Sequence, residues 1–156
     1  MLSGEAAALY TAPRTAGATT AAVAGAWAAA RSASPAPFLV ARFSPTEKDT
    51  LEVVSSGDGG LAGARASLAA DGVFFGAFSF WAGALQRFAF FSFTGAAVSG
   101  VKRGRVALQR GAAARAFEGC AADVELSDGA GDAEVLAALR AALRGSGAPL
   151  ALAPPG

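Results

Sequence analysis

Two segments limit what this chain can fold into. Residues 73–81 read VFFGAFSFW, and residues 88–94 read FAFFSFT. Eight of the eleven Phe lie between Phe74 and Phe93. Successive residues of a strand face opposite ways. Here both alternating sets are apolar, so each strand needs a cover on each face. That is the pattern of a sheet with helices on both sides. Gln86 and Arg87 interrupt the apolar run, and each half is too short for a membrane helix. Residues 82–87 are expected to form the tight connection.

At 156 residues the chain makes one domain with room for a hydrophobic core. Its 43 alanines blur helical periodicity, because alanine suits either face. Cys120 stands alone, which excludes an intrachain disulfide and fits a reducing compartment. There is no histidine, so the usual general base and the commonest metal ligand are missing. One Cys and no His make a zinc site untenable. Neither a cofactor nor a metal is expected. The N-terminus has Glu5 and no basic stretch, so a secretory signal is not expected. Residues 6–36 are rich in Ala, Ser and Thr, with Arg14 and Arg31. That composition leaves an organelle transit segment as an alternative.

In chain order, residues 3–10 read as a loose helical turn broken by Pro13 and Gly17. Thr19 or Thr20 can cap a helix reaching Ser32, with Val23 and Trp27 on its buried side. FLVARF (38–43) and LEVVS (51–55) read as an antiparallel hairpin. Residues 61–70 suit a short helix. After the two Phe-rich strands, residues 95–100 read as a loop and 103–108 as a fifth strand. Residues 109–120 follow as a helix burying Ala113, Ala116, Phe117 and Cys120. Residues 123–126 read as a short strand. Residues 132–144 form the last helix, with Val135, Leu136, Leu139 and Leu143 as its apolar stripe. From Gly145 the Gly/Pro-rich tail is expected to lack structure.

Two glycine patterns fail as nucleotide sites. In residues 57–63 the third glycine falls one place late for the dinucleotide fingerprint, and the βαβ context is missing. In residues 95–102 Lys102 is displaced by one from a phosphate loop, and no Ser or Thr follows it. Nucleophilic catalysis has no support either, because Cys120 reads as a core thiol. Glu47 and Asp49 read as solvated turn residues.

The charge pattern is more informative. The net charge is +1, yet residues 87–117 carry Arg87, Lys102, Arg103, Arg105, Arg110 and Arg115 with no acid among them. Ordinary surfaces mix signs, so such a face points to an acidic partner. No RNA-binding aromatic signature accompanies these residues, which speaks against nucleic acid.

Arg87-Phe88-Ala89 opens the fourth strand. Gly95 is followed by Val98-Ser99-Gly100, then by Arg103 with Arg105, a helix ending near Gly119, and Glu125-Leu126-Ser127-Asp128. The order and spacing of these features resemble the actin-depolymerising-factor homology (ADF-H, cofilin-like) domain, and within it the coactosin branch. The likeness is good over residues 73–128 and in register for the hairpin and last helix.

The resemblance implies an ADF-H/gelsolin-like single domain of the mixed α/β class over residues 18–145. Its five-stranded mixed sheet is sandwiched between helices. A poorly ordered segment, 1–17, precedes it and a flexible tail, 146–156, follows. The implied role is non-enzymatic: a monomer in the cytoplasm that binds actin, filaments in preference to monomers, and modulates their turnover. No membrane or nucleic acid is implied. The family's basic residue at the start of the fourth strand matches Arg87, and the one near the end of the last helix matches Arg144, beside Arg140. Arg110 and Arg115 fall on the long helix that supplies further contacts, with Lys102, Arg103 and Arg105 leading into it. Gly111, Ala112, Ala113 and Ala114 stand where the family is more charged. A same-fold module that has lost actin binding is therefore the alternative. Ser3 does not match the family's regulated serine and reads as an ordinary N-terminal residue.

Overall fold

The computed structural model describes residues 20–47, 49–144 and 149–154. The expectations for residues 3–10 and for Ser3 lie outside these, as does the 6–19 part of the transit-like segment. The two Phe-rich segments form the centre of the sheet as strands β3 (Val73–Ala82) and β4 (Leu85–Thr94). They pair antiparallel from Val73↔Thr94 to Ala82↔Leu85. The connection is therefore two residues long, and Gly83 takes φ 62. Glycine is the residue that meets such a turn without strain. The expected 82–87 connection is mostly strand, and Arg87 pairs with Phe80 inside the ladder.

Strand β1 (Pro37–Phe43) flanks β3, and β2 (Leu51–Asp58) closes that edge. On the other side β5 (Ala122–Ser127) pairs parallel with β4. The order is β2-β1-β3-β4-β5, with a two-residue β6 (Leu150–Ala151) antiparallel to the end of β3. Helices α1 (Ala21–Ala33) and α2 (Gly60–Arg65) precede β3; α3 (Gly100–Ala114) and α4 (Asp132–Ala142) follow β4 and β5.

The double-sided apolar pattern is used as the sequence implies. Phe74, Phe78, Phe80, Phe91 and Phe93 pack with α2 and α4 on one face. Phe75 and Phe90 pack with Val23 and Trp27 of α1, and with Ala113, Ala116 and Phe117, on the other. The Trp27 ring lies edge-on to Phe88 at 5.4 Å and near Phe117 at 5.9 Å. Its indole N–H donates to the Glu118 carbonyl at 3.2 Å. At Gly76 a Cβ would overlap the Leu39 carbonyl oxygen and the Phe91 ring, so β1 and β3 can approach only around a glycine.

Three expectations need correction. Residues 103–108 are not a strand; they lie inside α3. Parallel pairing of β4 with β5 requires a crossover, and a helix is its usual form. Ser99 starts that helix, its hydroxyl accepting from Lys102 N–H at 3.3 Å. The helix then ends at Ala114, earlier than Cys120, and Ala116 and Phe117 are buried from the turn beyond it. The tail is not wholly without structure, because Leu150 is buried and Gly83 N–H donates to the Pro149 carbonyl at 2.8 Å. Pairing with the end of β3 satisfies backbone groups that composition alone cannot foresee.

Candidate functional site

The eight basic residues singled out from the sequence do not behave alike. Two turn inward. The Arg103 guanidinium donates to the carbonyls of Val98 (3.2 Å), Gly95 (2.8 Å) and Ala96 (3.2 Å). It thereby closes the loop between β4 and α3. Arg110 donates to the Ser92 hydroxyl at 3.0 Å, pairs with Asp123 and lies 5.9 Å from the Phe90 ring centroid. It thereby ties α3 to β4 and β5.

Lys102, Arg105, Arg115, Arg140 and Arg144 are exposed, and Arg87 is half-buried. None of the six has an ion pair among the described residues. The topology sorts them into two groups. Ala89 pairs with Ala122, and Ala121 N–H donates to the Phe88 carbonyl, so the starts of β4 and β5 lie together. Ala114 at the end of α3 and Ala142 at the end of α4 line one shallow depression with Ala122 and Asp123. Arg87, Arg115, Arg140 and Arg144 therefore belong to this end of the sheet. Lys102 and Arg105 sit in the first turns of α3, at the other end. A 15-residue helix separates the groups by about 20 Å.

The same helix carries a feature that the sequence reading missed. Val101 is 68% exposed and Leu108 83% exposed. At about 100° per residue, Val101, Arg105, Leu108, Ala112 and Arg115 fall in one arc of about 80°, turned away from buried Ala113. Reading 103–108 as a strand scattered these residues over two faces. The signal was present in the spacing of Val101 and Leu108, seven apart, but only a helix makes it a stripe.

Burial pushes the Cys120 thiol up to about 12, against the pull of Arg31 and with a small push from Asp123. The thiolate is the reactive form, so native Cys120 should resist iodoacetamide at pH 8 and react promptly in denaturant. Mass spectrometry after timed alkylation checks this; rapid native labelling would contradict it. The Asp123 carboxyl is raised from its usual range by burial, which outweighs the Arg110 guanidinium beside it. Among the described residues no cluster of acids and cysteine could hold a metal ion. Among them, too, no helix is long and apolar enough to cross a membrane.

No family model matches the sequence, and no curated protein matches it. Solved structures do. Coactosin from Entamoeba histolytica is 20% identical, covers 60% of this chain and 70% of its own, and superposes with a TM-score of 0.53. Streptomyces griseoflavus cofilin is 16% identical over 75% of this chain and 94% of its own, with a TM-score of 0.59. Mouse coactosin, described as an actin filament binding protein, is 16% identical over 83% of this chain and 88% of its own, with a TM-score of 0.55. The mixed sheet between two helical layers is common to them and to this chain, which thus has the ADF-H fold of the coactosins and cofilin.

Proposed function

We propose that this chain is a non-catalytic actin-binding protein of coactosin or cofilin type, which binds filaments in preference to monomers and modulates their turnover. The observation that carries the reading is the surface of α3. Exposed Val101 and Leu108 share one arc of the helix with Arg105 and Arg115, whose charges have no ion pair among the described residues. A mixed apolar and one-signed face of this kind is complementary to an acidic partner. An apolar cleft with an acidic rim fits it. Arginine suits the rim, because its planar fork meets carboxylates bidentately.

Arg103 and Arg110 drop out of the contact set under this reading and hold the helix instead. The working set is Arg87, Lys102, Arg105, Arg115, Arg140 and Arg144 with Val101 and Leu108. The expected setting is the cytoplasmic actin cytoskeleton, with the protein acting as a monomer. The second reading, a same-fold module that does not bind actin, draws on Gly104 and Gly111 in the middle of α3.

Cosedimentation with filaments across a salt series tests the proposal. Pelleting should weaken as salt screens the rim charges. Failure to pellet even at low salt would end the actin reading. The Arg87→Ala/Arg144→Ala double variant should lose up to about 30-fold in filament affinity, two rim charges at roughly 1 kcal/mol or less each. Its melting temperature should not change, since neither residue has an ion pair among the described residues. Unaltered pelleting of this variant would remove Arg87 and Arg144 from the contact set.

A further inference from the structure

Helices α3 and α4 differ in what holds them. In α4, Asp132 and Glu134 lie in the first turn, Glu134 accepts from Gly131 N–H at 3.2 Å, and Val135 and Leu139 are buried. In α3 the first turn holds Lys102 and no acid, and the last turn holds no base. That arrangement opposes the helix dipole. Ala113 is the only buried residue among the fifteen of α3, so its front two turns bury nothing. Val106 reaches the core only in part. Gly104 and Gly111 lie in its interior, where a Cβ would meet nothing within 4 Å. The free fold therefore does not need glycine at either place, and each glycine weakens the helix. Two polar ties remain. Ser99 and Arg103 hold the start, and Arg110 holds the rear.

A helix with so little tertiary packing has the local stability of its own sequence, which is marginal at this length. We propose that residues 100–108 of α3 open and close as a unit in the free protein and are fixed as helix by the bound partner. The part concerning the partner rests on the actin reading above. Binding then selects the closed fraction, and Gly104 sets how large that fraction is. The device tunes affinity without touching a contact residue.

The test pairs amide hydrogen exchange of the full chain with filament cosedimentation, for the wild type and for Gly104→Ala. In the wild type, amides of residues 104–108 should be protected less than about twofold, while those of β3 and β4 exchange with the global unfolding. The variant should raise the closing equilibrium roughly fivefold, as expected for one glycine-to-alanine step in a helix interior, and bring protection of these amides toward about sixfold. Its filament affinity should rise about two- to fivefold, because the closed helix no longer has to be selected. Wild-type protection in α3 approaching that of β3 would overturn the inference. So would a variant that gains protection but binds no tighter, or more weakly. If neither protein pellets while exchange behaves as expected, the actin reading fails and the open helix stands.

Discussion

Leu108→Glu should lower filament affinity by roughly 30- to 150-fold while leaving the fold intact. Leu108 is 83% exposed, so it contributes little to folding, and glutamate is a good helix former. Docking a leucine into an apolar cleft is worth about 2–3 kcal/mol, which converts to that range of dissociation constants. An unpaired carboxylate in the same cleft adds a desolvation cost and repels an acidic rim. Cosedimentation beside a thermal melt separates the two effects. Wild-type pelleting by the variant would remove the α3 stripe from the contact surface. A lowered melting temperature would show that Leu108 is a packing residue after all. The Arg87→Ala/Arg144→Ala variant probes the rim, whereas this one probes the centre. Central apolar contacts mostly govern dissociation and rim charges mostly govern association. Stopped-flow binding should therefore show the loss at Leu108 in the off-rate.

Phe78→Ala should destabilise the protein by about 3–5 kcal/mol. Phe78 is fully buried at the middle of β3, its ring 6.1 Å from that of Phe91. It packs where β1, β3 and β4 meet under α2 and α4. A domain of this size has about 5–15 kcal/mol in all, so the variant should be marginal at 37 °C. Urea denaturation measures the loss. A change under 1 kcal/mol would mean that the two layers close over the cavity, contrary to the packing described.

The double-sided apolar pattern of β3 and β4 was legible because it is a local period-two property that needs no knowledge of the partner strands. Val23 with Trp27, and Val135 with Leu139, were legible for the same reason at helical spacing. Helix α3 was not. Its sequence has two interior glycines, β-branched Val101 and Val106, and few residues that reach the core. Neither period is strong there, so local propensity favours no one structure, and the crossover between parallel β4 and β5 decides it. Misreading residues 103–108 then hid the Val101–Leu108 stripe, the feature on which the functional reading now rests.

The basic face divides along the same line. Its existence follows from composition: six basic residues and no acid from Arg87 to Phe117. Which of them can meet a partner does not. Arg103 and Arg110 looked identical in kind to Arg105 and Arg115. Only the tertiary structure puts three loop carbonyls around Arg103, and Ser92 and Asp123 beside Arg110. By itself the sequence determined a two-faced apolar sheet with helical covers and an excess of one charge, because burial period and charge count belong to neighbouring residues. The tertiary structure decided which charges are free, which end of the sheet each occupies, and that α3 presents leucine to solvent. Those depend on contacts between residues far apart in the chain.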